Sequence, residues 1–115
     1  MITKIGAFVL LALTVLMFTA CTEPSPLLGT WADNRNNTLS FYGDNTFTAR
    51  IRGPAGNLVN YSGNFTLLLN VLTMDCTGVD LRIVTEWDIR GNILYLDWAT
   101  VEGDIMSLNL FKVSN

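Results

Sequence analysis

The stretch Val79-Asp80-Leu81-Arg82-Ile83-Val84-Thr85-Glu86-Trp87-Asp88-Ile89-Arg90-Gly91-Asn92-Ile93-Leu94-Tyr95-Leu96-Asp97-Trp98 decides the fold. Val79, Leu81, Ile83, Trp87 and Ile89 alternate with Asp80, Arg82, Glu86, Asp88 and Arg90. That period of two predicts a strand with one face in a core and one in water. Thr85 on the inside and Val84 on the outside break the chemistry of the pattern but not its period. Gly91-Asn92 puts glycine first, as a two-residue type II′ turn requires. Such a turn sets Ile89 against Leu94, Trp87 against Leu96 and Thr85 against Trp98 on the core face. Both strands then agree on which side is apolar, and a slip of one residue would turn every one of these side chains over.

The pattern repeats outward from this hairpin. Leu39-Ser40-Phe41 alternates and stops at the turn cluster Gly43-Asp44-Asn45, where Asp44 and Asn45 act as turn formers. Phe47, Ala49 and Ile51 resume the alternation, which ends in Gly53-Pro54-Ala55-Gly56-Asn57. Between Leu58 and Met74 the pattern is less regular: Tyr61, Gly63, Phe65, Leu67, Leu69 and Val71 share one face, with Leu68 and Leu72 on the other. A strand with a bend at Gly63 accounts for this. A helix over 65–74 is disfavoured by Asn70 in its middle and by the lack of capping residues. Gly103-Asp104 turns into a last strand over 105–113. Short strands separated by turns every eight to twelve residues predict an all-β domain. Closing about eight antiparallel strands into an up-and-down meander barrel removes both exposed edges. A two-sheet β-sandwich is the alternative.

The N-terminus is of another kind. Lys4 precedes an apolar run over 5–18, about fourteen residues and too short for a hydrocarbon core that needs roughly twenty. Thr19-Ala20-Cys21 follows, and the segment resembles the lipobox of bacterial lipoproteins, with Phe18 in place of the usual leucine. The resemblance implies a signal peptide over 1–20 and a thioether-linked diacylglycerol on Cys21, which becomes the mature N-terminus. The protein would then be exported and held on a membrane of the cell envelope. An ordinary signal peptide cut after Ala20 is the other reading. Residues 21–26 form a short tether whose two prolines keep it extended. A single domain over 27–115 completes the chain.

Without Lys4, six Lys and Arg face ten Asp and Glu, leaving a net charge of −4. That balance disfavours a nucleic-acid partner and a polybasic hold on a membrane. The chain has no histidine, which removes the commonest general base and zinc ligand. No enzyme activity, cofactor or metal is expected. Cys76 has no partner within the chain if Cys21 is lipidated, and is expected to be a buried or half-buried small hydrophobe.

Gly29-Thr30-Trp31, the run Leu39-Ser40-Phe41-Tyr42-Gly43-Asp44-Asn45-Thr46-Phe47, Tyr61-Ser62-Gly63-Asn64-Phe65 and Gly91-Asn92-Ile93-Leu94-Tyr95-Leu96 resemble, in order and spacing, the lipocalin-like domains of small bacterial lipoproteins. The resemblance covers most of 28–112. It implies that Trp31 closes the barrel base under a basic side chain from the last strand, for which Lys112 is the candidate. Trp31 as a simple core aromatic is the plainer reading. The domain is shorter than a lipocalin, and a barrel of this size can be filled by its own side chains. Two functions follow as expectations. One is a non-enzymatic binding module for a small apolar ligand or a protein partner. The other is a structural or inhibitory interaction protein with a filled barrel.

The hairpin register also sets Glu86 across from Asp97, and Asp88 across from Tyr95, on the outer face. Opposed carboxylates at roughly 5 Å are the arrangement of a retaining glycosidase. A solvated charged face, neutralised by Arg82 and Arg90, is the ordinary explanation.

Overall fold

A computed structural model describes residues 25–115. The expected signal segment over 1–20, Cys21 and the first part of the expected tether lie outside the described residues. Eight strands follow in chain order: β1 (Gly29–Ala32), β2 (Thr38–Phe41), β3 (Thr46–Arg52), β4 (Leu58–Leu68), β5 (Val71–Cys76), β6 (Arg82–Arg90), β7 (Ile93–Ala99) and β8 (Ile105–Ser114). Each pairs antiparallel with the next, and β8 returns to β1, so the sheet is a closed meander barrel. The two-sheet sandwich is thereby excluded. Because the chain runs up and down, alternate connections share an end. The start of β1, the β2–β3, β4–β5 and β6–β7 turns and the C-terminus lie at one end, here the base. The β1–β2, β3–β4, β5–β6 and β7–β8 loops form the other, the mouth.

The deciding hairpin forms with the expected turn. Gly91 takes φ 62° while Asn92 keeps a negative φ. Trp87 pairs with Leu96, Asp88 with Tyr95 and Ile89 with Leu94. Three details differ from the sequence reading. The β6–β7 ladder stops at Trp87, so Thr85 does not pair with Trp98, nor Glu86 with Asp97. The Thr85 hydroxyl takes their place: it accepts from Asp97 N at 3.0 Å and donates to Glu86 O at 2.9 Å. A buried threonine among aliphatic inward positions satisfies its own hydroxyl this way, at the cost of splaying the strands. Second, β6 begins at Arg82, and Val79 is an exposed loop residue. Gly78 at φ 84° and the bond from Cys76 N to Leu81 O close the β5–β6 connection there.

Third, the stretch from Leu58 to Met74 is two strands, not one bent strand. Leu67 pairs with Leu72 and Leu68 with Val71 around Leu69-Asn70. A two-residue turn inverts the parity, so Leu72 and Met74 continue the inner face that Phe65 begins. Gly63 serves a close approach: it pairs with Phe47 of β3 and with Cys76 of β5. A Cβ there would lie 1.8 Å from Asp75 O.

The inward residues form one contiguous cluster inside the barrel, from Leu27 and Trp31 at the base through Phe41, Phe47 and Phe65 to Trp98 near the mouth. Phe41 and Phe65 meet edge to face at 5.0 Å, and Tyr61 leans on Trp98 at 5.2 Å. The indole N–H groups of Trp87 and Trp98 are buried with no acceptor among the described residues. Each such orphan donor costs about 1–3 kcal/mol, so packing rather than polar bonding holds these rings.

Candidate functional site

At the base, Trp31 is 2% exposed and its indole N–H donates to Leu27 O at 2.9 Å. Lys112 is its cross-strand partner, since β8 pairs with β1 at that position. The pairing carries Lys112 Nζ over the ring, 4.6 Å from its centroid. The ammonium also donates to Leu28 O and, at 3.5 Å, to Pro26 O. A cation over an indole face gains about 0.5–2 kcal/mol, and the two carbonyls orient it. Gly29 makes room: at φ 123°, a Cβ there would lie 2.9 Å from the Lys112 side chain and 2.4 Å from Ser114 O. Trp31 and Lys112 were legible in the sequence. The carbonyls of Pro26 and Leu28 were not, because a backbone acceptor has no residue type to announce it.

The β6–β7 ladder does not pair Glu86 with Asp97. Asp88 is taken by Arg90 at 2.9 Å, and Asp97 accepts from the Ser107 hydroxyl at 3.1 Å. The Arg90 guanidinium also lies over the Tyr95 ring, 5.4 Å from its centroid. Arg82 turns away from the cluster to Asp75 at 2.6 Å. Glu86 has no ion-pair or hydrogen-bond partner among the described residues, and those residues hold no group of three acids or thiols suited to a metal. An open groove of about 500 Å³ runs past Glu86, Asp88 and Asp97. Its carboxylates are already paired or solvated, which is the ordinary state of a charged sheet face.

The feature that the sequence did not announce lies where the barrel closes. β1 is four residues long, and only Thr30, Trp31 and Ala32 find partners on β8, at Ser114, Lys112 and Phe111. The chain then leaves the wall. The Asp33 carboxylate accepts from Arg35 N at 2.8 Å, Asn37 N at 3.0 Å and Asn37 Nδ2 at 2.9 Å, and Asn36 adopts φ 69°. Asn37 Oδ1 in turn accepts from Arg52 N at 2.7 Å. This knot draws the loop towards β3 and leaves β8 without a β1 partner from Ile105 to Leu110, where only β7 pairs with it.

Parity fixes which backbone groups are left over. Thr100 N donates to Asp104 O and Lys112 N to Asn92 O, so Met106, Leu108 and Leu110 direct their N–H and C=O towards β7. Ile105, Ser107 and Asn109 direct theirs to the open side, where no partner occurs among the described residues. A groove of about 780 Å³ lies along this edge, with Met106, Ser107 and Asn109 on one wall and Asp33, Arg35 and Arg52 on the other. The turn-rich run Asp33-Asn34-Arg35-Asn36-Asn37 was the one available signal that β1 would end early.

The chain matches no protein-family model and no curated protein sequence. Its sites are therefore read from their own chemistry.

At the mouth, Val79, Val101, Val59 and Pro54 surround an open dish of about 390 Å³ floored by Ile51 and Tyr61. Trp98 packs behind Tyr61, so the dish is shut off from the interior. Cys76 is half-buried and unpaired. Burial, and secondarily the Asp75 carboxylate, push its thiol up from the ordinary value. With Cys21 acylated or replaced by serine, iodoacetamide at pH 8 is expected to modify Cys76 more slowly in the folded protein than in urea. The native rate should keep rising at pH values where the unfolded rate has levelled off. Equal rates in the two states would show the thiol to be open and ordinary.

Proposed function

We propose that this chain is a lipid-anchored protein of the bacterial cell envelope. Its barrel would act as a non-enzymatic interaction module, receiving an extended segment of a protein partner along the open edge of β8. The anchor is supported by the lipobox-like run that ends at Cys21, the docking edge by the unpaired backbone of Ile105, Ser107 and Asn109. Proteins normally protect such an edge with charge or proline. Residues 105–111 contain neither, and Ile105 and Phe111 are exposed. An added strand would satisfy donors and acceptors in register while alternate side chains met Arg35 and Arg52. A small apolar ligand has less support, because the inward side chains of the barrel join in one contiguous buried cluster.

The test selects extended peptides against the full protein and compares Ser107→Pro and Asn109→Pro. Each proline deletes one N–H on the open side and leaves the bonds to β7 intact. Binding should weaken about tenfold or more, the worth of one lost hydrogen bond with its stranded acceptor, with the thermal midpoint little changed. Peptides that bind both variants unimpaired would overturn the docking edge, as would stoichiometric uptake of a fatty acid with no peptide bound. Labelling cells with an alkyne fatty acid tests the anchor, with Cys21→Ser expected to lose both label and membrane fractionation. An unlabelled natural chain would refute it.

A further inference from the structure

The β4–β5 turn is where the barrel presents apolar side chains with nothing to cover them. Leu68 is 75% exposed and Leu69 88%. Leu69 holds φ 56°, a left-handed conformation that glycine or asparagine adopts readily and leucine does not. An ordinary hairpin would carry a polar or glycine residue at that position. The turn runs past its β3-side neighbour, while on the other side Asn70 O accepts from Trp87 N of β6. Pairing of β4 with β3 ends at Asn64 opposite Thr46, with one further bond from Phe65 N to Asn45 O. Residues 66–69 therefore extend clear of the neighbouring β2–β3 turn. No charged residue occurs from 65 to 74.

The place of this turn in the meander says what covers it. It lies at the base, the end from which the chain leads back to the tether. Ser25 is held there by the bond from Leu28 N to Ser25 O at 3.2 Å, and Lys112 of the same end reaches Pro26 O. From Cys21 to Ser25 the chain can span at most about 14 Å. A diacylglycerol on Cys21 thus holds the base close to the headgroups.

We infer that the Leu68-Leu69 tip inserts into the lipid surface that holds the Cys21 anchor, forming a second, protein-made contact. The inference rests on the lipid anchor proposed above. With a net charge of −4 in the mature chain, attraction to anionic headgroups is not the driving force. Burial of leucine side chains at the acyl boundary is. The two contacts would stand the barrel on its base and turn the mouth, with the Ile105 end of the β8 groove, away from the membrane.

The experiment uses the full chain, processed in cells, with acylation of Cys21 verified by mass spectrometry, in phosphatidylcholine vesicles. An environment-sensitive nitrobenzoxadiazole label is placed at Leu69→Cys, or at Ala55→Cys in the exposed mouth loop, with Cys76→Ala in both. The label at 69 should shift to the blue and be quenched several-fold more by nitroxide lipids than the label at 55. Hydrogen exchange on the unsubstituted acylated chain gives a second reading. Amides 66–70 should exchange more slowly on vesicles than in Cys21→Ser protein in solution, while those of 53–57 are unchanged. A water-like label at 69 and unprotected amides, on protein that does carry its acyl chains, would overturn the tip contact and leave the anchor standing. An unmodified Cys21 would remove both. A blue shift in Cys21→Ser protein without vesicles would assign the tip to a second copy of the chain and likewise overturn the inference.

Discussion

Trp31→Ala is expected to destabilise the barrel by about 3–5 kcal/mol in urea unfolding, a large share of the 5–15 kcal/mol typical of a small domain. Three losses coincide at this position. The indole is 2% exposed within the central cluster, so its removal opens a cavity that neighbouring strands cannot close. The Leu27 carbonyl loses the N–H that lies 2.9 Å away. Lys112 loses the ring beneath its ammonium, together with the packing that keeps β8 beside a four-residue β1. Lys112→Met should cost far less, about 0.5–2 kcal/mol, because the ring and its hydrogen bond remain. A Trp31→Ala cost no larger than that of Lys112→Met would show that the tryptophan is peripheral to the core and would remove its role in closing the base.

Gly63→Ala is the second large effect. The added methyl would meet Asp75 O at 1.8 Å and Asp75 C at 2.9 Å, and both are backbone atoms of a paired strand. Neither β3 nor β5 can retreat, since Gly63 lies opposite Phe47 on one side and Cys76 on the other and both neighbouring strands are held in the sheet. The strands must separate, at a cost of about 3 kcal/mol or more, the upper end of overpacking penalties. Gly43→Ala is the matched control. A Cβ at that turn meets nothing within 4 Å, so its effect should stay within about 0.5 kcal/mol. Similar melting temperatures for the two variants would show that β4 and β5 are not in the close contact described.

The same residues show why some features were legible and others not. The Gly91-Asn92 hairpin announced itself because turn chemistry and parity agree, so register followed from local rules alone. Leu67-Leu68-Leu69-Asn70-Val71 hid a turn, because leucine occupies the left-handed position where glycine or asparagine would have marked it. Thr85 looked like a harmless inner residue; its hydroxyl instead took the place of a ladder bond to Asp97 N, so the β6–β7 pairing stops before Glu86. The pairing of Trp31 with Lys112 could be anticipated. The open edge of β8 could not, since it depends on how far β1 continues before Asp33 folds its loop back.

Alternation and turn residues, carried by neighbours in the chain, were enough to determine that the described domain is built of strands, sorted into an inner and an outer face, and wound as a meander. The residues around Cys21 set its expected address by the same local logic. Tertiary structure decided how the cylinder is sealed, that its inward side chains join in one buried cluster, where one edge stays unpaired and which leucines are left in the open. Those outcomes depend on contacts between residues distant in the chain, such as Asn37 with Arg52 in the loop that ends β1, whose approach no period along the chain encodes.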